Sequence, residues 1–192
     1  MHAFLDFEAS SLGKRSYPIE VAWVFEDGTS ESHLIRPAPG WDDWDAGAEA
    51  IHRIPRATLV AKGEPHERVA QRMIEALEGH ALFASAPSWD GKWLSTLLRA
   101  AGLPRHALRL RDSAEARCEA AEAILRPRVA PEMLARAIEE TLVLAEIRNG
   151  RTPPRHRALA DAEQEHGWWR AVQQVACEHA RGHRYPASSS SS

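Results

Sequence analysis

The chain has 192 residues, 44% of them hydrophobic, enough for one folded domain whose core needs no crosslinks. A formal net charge of -3 offers nucleic acid no attraction through overall charge, and only two cysteines, Cys118 and Cys177, argue against a disulfide framework and for a reducing compartment. The opening residues lack a basic segment followed by a long apolar run, and no stretch reaches membrane-spanning length, so a cytoplasmic protein without membrane contact is expected.

The first element is an extended run over 4–10, Phe-Leu-Asp-Phe-Glu-Ala-Ser, in which aromatic and aliphatic residues surround two acids. Side chains two apart in a strand share a face, so Asp6 and Glu8 lie together, roughly 6 to 7 Å apart, with Phe7 on the other side. At an effective dielectric of about 20, two carboxylates about 5 Å apart repel by roughly 3 kcal/mol, so such a cluster calls for a proton or a cation.

A second strand is expected over 18–25, where Ile19, Val21, Trp23 and Phe25 alternate against Glu20, Ala22 and Val24. Asp27-Gly28 supplies a turn, and 31–36 returns as a third strand in an antiparallel hairpin. A loop through Trp41 and Trp44 leads to a short helix over 45–52. Pro65 suits the first turn of a helix over 65–77, whose apolar stripe is Val69, Met73, Ile74 and Leu77, and Gly79 closes it.

A buried strand over 81–85 and a helix over 91–101 follow, the helix stopped by Gly102-Leu103-Pro104. A fifth strand is read over 108–110, and helices over 113–125 and 132–148. The loop 149–154 holds adjacent prolines, and a last helix runs over 157–180. The serine-rich tail 186–192 has nothing apolar to bury and is expected to be disordered, leaving 1–185 as the folded domain. This order gives an α/β domain with a central mixed five-stranded sheet flanked by helices, the first strand central and its acids at a strand end where ligands bind.

Asp6-Phe7-Glu8, then Trp89-Asp90, then His156-Arg157-Ala158-Leu159-Ala160-Asp161 is similar to the ordered motif set of the DEDDh 3'-to-5' exonucleases, the proofreading-exonuclease and oligoribonuclease-like group. The resemblance spans nearly the whole chain and implies a ribonuclease H-like fold and metal-dependent release of nucleoside 5'-monophosphates from single-stranded 3' ends of DNA or RNA. It implies two Mg²⁺, with Mn²⁺ as a substitute, held by Asp6, Glu8, Asp90 and Asp161, and His156 as general base. Oxygen-rich ligands suit these ions, and the chain has no Cys/His cluster for zinc. His156 and Asp161 would stand about 140° apart on one continuous helix, so His156 makes more sense in the loop before it or at the helix entrance.

Three positions depart from the family pattern. Ala86 and Trp89 stand where Asn and Phe are common, and Arg53 replaces the Gly of a His-Gly-Ile segment that starts at His52. Substrate contacts are expected from Ala9, Ser10, His52, Trp89 and Arg155, with Phe7 and Leu12 as weaker candidates. Stacking is also open to Trp41 and Trp44, and phosphate contacts to Lys14, Arg15, Arg148, Arg151 and Arg157. A homodimer or a polymerase partner is compatible with the resemblance. The alternatives are a short-oligonucleotide phosphodiesterase, a weakly active nuclease-like nucleic-acid-binding or polymerase-accessory protein, and an α/β interaction domain whose acids are incidental.

Overall fold

The computed structural model describes residues 1–150 and 153–182, so Arg151 and the tail 186–192 lie outside the described residues. The chain builds β1 (His2–Ala9), β2 (Pro18–Phe25), β3 (Ser30–Arg36), α1 (Ala46–His52), α2 (Arg56–Lys62), β4 (Glu64–Pro65) and α3 (His66–Leu77). It continues through β5 (Ala81–Ala84), α4 (Pro87–Ala100), β6 (Leu110–Asp112), α5 (Ser113–Leu125), α6 (Pro131–Asn149) and α7 (Ala158–Gly182). No helix among the described residues is long and apolar enough to cross a membrane.

The sheet runs in the order β4-β3-β2-β1-β5-β6 and is mixed. β1 pairs antiparallel with β2 and parallel with β5, which puts it at the centre, as its apolar composition requires. Ala3, Leu5, Phe7 and Ala9 join Val21 and Trp23 in a core with the stripes of α3 and α4, including Met73, Leu77, Leu94 and Leu97. The intervening side chains, Asp6 and Glu8 among them, occupy the other face, where the ring of His166 in α7 lies 5.9 Å from Phe4. One strand thus gives its odd positions to this core and places Asp6 and Glu8, at even positions, on the opposite face.

Contacts divide the chain into two units. The first comprises Met1–Ser113 and Pro153–His166, and so holds the whole sheet, α1 to α4 and the start of α7. The second takes over at Ala114 and again at Gly167. It has its own core of Leu125, Ala137, Ala145, Val172 and Ala176, and Arg148 and Thr141 of α6 bond Glu178 and His179 of α7.

The structure departs from the sequence expectations at four places. The sheet has six strands rather than five, because the two residues Glu64–Pro65 pair with Ile35 and Arg36 at the edge, too short a segment to leave a pattern. The fifth expected strand begins at Leu110, not Leu108, because Leu82 of β5 pairs with Leu110. α4 starts at Pro87 rather than at 91, because the missing N–H of proline costs nothing in a first turn, so Asp90 sits inside that turn. α2 was not legible, since Leu59 is its sole buried residue and no periodicity results.

Candidate active site

β1 delivers Asp6 and Glu8 to one face, and the pairing places Glu8 directly opposite Glu20 of β2. The ladder shifts register between Glu8 and Ala9, so β1 leaves regular pairing at the site. Asp90 arrives from the first turn of α4, and the third motif comes from the loop and first turn of α7. There His156, with φ 54, precedes the helix, as the five-residue spacing to Asp161 requires.

The Asp161 carboxyl accepts the backbone N–H of Arg155 at 2.8 Å and of His156 at 2.9 Å, which folds the loop back over the helix start. One ligand atom from each of Glu8, His156 and Asp161 then lies within 4.8 Å of the others. The remaining two acids share this field. Burial pushes the Asp6 carboxyl well above the usual carboxylate range, and the charges of Asp90, Glu8 and Asp161 push it further. Glu8 is raised to about 8 by burial first, then by Asp161 and Glu20, with Arg157 opposing. Asp90, only 2% exposed, is raised to about 7 by burial against the pull of backbone N–H groups at Ala86 and Phe7.

Such a donor set suits a hard divalent cation. Burial first, and for Asp6 and Glu8 the neighbouring carboxylates, favour the protonated forms, and the Oδ2 of Asp90 is buried without a hydrogen-bond partner among the described residues. Oxygen ligands of this kind fit Mg²⁺ or Mn²⁺.

Beside the acids opens a cavity of about 390 Å³, walled by Phe7, Glu8, Ala9, Ser11 and Leu12, by α1 from Gly47 to His52, and by Trp93 and His156. His52 is 2% exposed, and its Nδ1 accepts the Ile54 N–H at 3.1 Å, so the ring proton resides on Nε2. That Nε2 is buried without a partner among the described residues, and burial lowers the ring's affinity for a second proton. His52 is therefore a neutral donor in the cavity wall.

The other expected contacts fare differently. Ala9 lines the cavity, whereas Ser10 is fully buried and its Oγ accepts the Tyr17 N–H. Phe7 and Leu12, the weaker candidates, also line it. Trp41 stacks on Tyr17 and Trp44 bonds Glu49, and neither is in the cavity wall. Trp89 is 40% exposed and outside that wall, leaning on Trp93 with the Lys92 ammonium over its ring. Arg155 is exposed beside the loop. Arg157 and Arg148 are engaged by Glu20 and Glu178, and Arg15 by Asp42.

Sequence reasoning passed over Glu20, Trp93 and the α1 residues Ala48 and Ile51. Glu20 did leave a signal. It is an acid in a strand whose neighbours on both faces are apolar, a pattern that puts a carboxylate out of water and in need of a cation.

No protein-family model and no curated protein matches this sequence. Solved structures do. A zinc-bound complex of Escherichia coli exonuclease I with single-stranded DNA is 18% identical, with a TM-score of 0.62 over 90% of this chain and 40% of that one. Another exonuclease I structure is 19% identical at a TM-score of 0.62, over 94% and 42%. The moderately thermophilic exonuclease I of Methylocaldum szegediense is 15% identical at 0.60, over 94% and 42%. This chain spans well under half the length of each of these proteins. Six strands in this order, the flanking helices and these likenesses give the chain the ribonuclease H-like fold of exonuclease I.

Proposed function

We propose that the protein is a metal-dependent 3'-to-5' exonuclease of the DEDDh type that removes nucleoside 5'-monophosphates from single-stranded DNA. The observation that carries it is the convergence of Glu8, His156 and Asp161 within 4.8 Å beside the buried carboxyls of Asp6 and Asp90. The exonuclease I complexes of the same fold hold single-stranded DNA, which supports that substrate class.

Asp6, Glu8, Asp90 and Asp161 would hold two Mg²⁺ ions, which when bound neutralise phosphate oxygens and stabilise the leaving 3'-oxygen. His156 takes the proton of the attacking water. Its exposed imidazole stands in the wall of the cavity beside Glu8 and Asp161. Water oxygen bonds to phosphorus as the bond from phosphorus to the 3'-oxygen breaks, and the leaving oxygen collects a proton. The cavity takes the terminal nucleotide. The Nε2–H of His52 donates to an acceptor on it, while Phe7, Leu12 and Ile51 supply apolar contact that reads no particular base.

The test is product analysis over time with matched 5'-labelled single-stranded DNA, RNA and dinucleotides, in Mg²⁺, Mn²⁺ or chelator. Shortening ladders in metal, absent in chelator and in Asp6→Asn, are expected. Preference for the dinucleotide would favour a short-oligonucleotide phosphodiesterase, and equal activity in Asp6→Asn would end the enzyme reading.

A further inference from the structure

Glu20 belongs to none of the three motifs, yet its carboxyl accepts three hydrogen bonds from the start of α7 and the residue before it. Its side chain is 3% exposed. Its Oε2 accepts from Arg157 Nε at 3.1 Å and from the Ala158 backbone N–H at 3.0 Å, and its Oε1 accepts from Arg157 Nη2 at 2.7 Å. That is a side-on, two-pronged guanidinium pairing with a backbone bond added, the geometry that fixes orientation as well as charge.

Two carboxyls divide the donors of the loop between them. Asp161 takes the amides of Arg155 and His156 from within the helix, while Glu20 takes the guanidinium of Arg157 and the amide of Ala158 from the sheet. The first of these bonds shapes the loop, but only the second ties it to a strand. His156 between them has φ 54, a conformation that a residue with a side chain keeps only where its surroundings hold it. Glu20 is paired across the ladder with Glu8, so the strand that anchors the loop is in register with a site carboxyl.

We propose that Glu20 is a positioning residue: through Arg157 and the Ala158 amide it clamps the His156 loop and the first turn of α7 against β2, setting His156 and Asp161 beside Glu8. This role rests on the exonuclease reading for its catalytic consequence, though not for the clamp itself. Arg157 does a second job there, since its charge also lies in the field of Glu8 and opposes the repulsion between Glu8 and its neighbours.

The experiment compares wild type, Glu20→Gln, Arg157→Gln and the double variant by single-strand cleavage, by calorimetric titration with Mn²⁺ alone and by amide exchange. Loss of an outer support of this kind typically lowers activity or metal affinity about 10- to 100-fold. Each single variant should lose about that much in kcat or in Mn²⁺ affinity while KM for the strand holds, and the double variant should lose no more than the worse single one. Amides of 155–161 should exchange faster in both, with β1 and β5 unchanged. If Glu20→Gln does not fold, Arg157→Gln, whose side chain is half exposed, opens the same clamp from the solvent side. Wild-type exchange across 155–161 in folded variants, or losses that multiply in the double variant, would overturn the proposal. If the wild type cleaves no strand in any metal, the exonuclease reading fails, and exchange and Mn²⁺ affinity still decide the clamp.

Discussion

His156 and Arg53 both carry their side chains at positive φ, 54 and 58, but for different reasons. Arg53 follows α1 as its left-handed cap, its N–H on the Glu49 carbonyl at 2.8 Å, a place glycine takes without steric penalty. The left-handed region costs an ordinary residue about 1–2 kcal/mol, partly offset by the greater freedom of glycine when unfolded. Arg53→Gly should therefore stabilise the protein by about 1 kcal/mol, read as a higher melting temperature. An unchanged or lower value would mean that the arginine side chain holds the loop by some other contact. For His156 the positive φ comes with its own amide and that of Arg155 held by the Asp161 carboxyl. His156→Ala should lower kcat by about 100- to 10,000-fold with Mn²⁺ affinity kept, the range for losing a general base. A parallel fall in metal affinity, measured by titration, would make it a ligand instead. The five candidate residues stood out in the sequence because a metal site would need those residue types at those short spacings, and the structure brings ligand atoms of three of them, Glu8, His156 and Asp161, within 4.8 Å of one another. Glu20 and Ile51 did not stand out, because burial and cavity walls arise from chain segments far apart in sequence.

Among the elements, α2 is held by a close approach that allows no side chain. A Cβ on Gly63 would stand 2.4 Å from the Leu59 carbonyl oxygen and 2.7 Å from the Arg36 nitrogen, both backbone atoms that cannot swing aside. Gly63→Ala should cost about 1–3 kcal/mol, as overpacking does, and lower the denaturation midpoint. A neutral outcome would show that the end of α2 can lift off β3. This contact also explains why α2 escaped a reading of periodicity. It is positioned by backbone proximity and one buried leucine, Leu59, and not by an apolar face. By contrast α3 was legible to within a residue of its start, since Val69, Met73 and Leu77 mark its buried side. The start of α4 was misread because Ala86 caps it with no side-chain bond, so the usual polar marker is missing.

At the scale of the whole molecule the acids of the site oppose folding when they ionise. Asp6, Glu8 and Asp90 all titrate higher in the folded protein than in the unfolded chain, so the folded state holds more protons. Their contribution is fully present below the ordinary carboxylate range. It is lost as pH rises through about 7 for Asp90 and about 8 for Glu8. In chelator the melting temperature should thus fall between about pH 5 and pH 9, and Mg²⁺ or Mn²⁺ should restore it most at the alkaline end, where the ligands have shed their protons. A melting temperature that rises with pH in chelator would contradict this. The division into two units had no signature to read. α7 passes as one helix from residues of the first unit to residues of the second, with no break in its sequence to mark the change at Gly167.

The alternation along β1 limits how this protein can change. Adding or deleting a single residue between Ala3 and Asp6 would exchange the two faces of the strand, turning both acids under α3 and α4 and presenting Phe7 where they stood. Substitutions there can be absorbed one side chain at a time, whereas a change in length fails at every position together. The strand is open to drift in spelling and closed to drift in length.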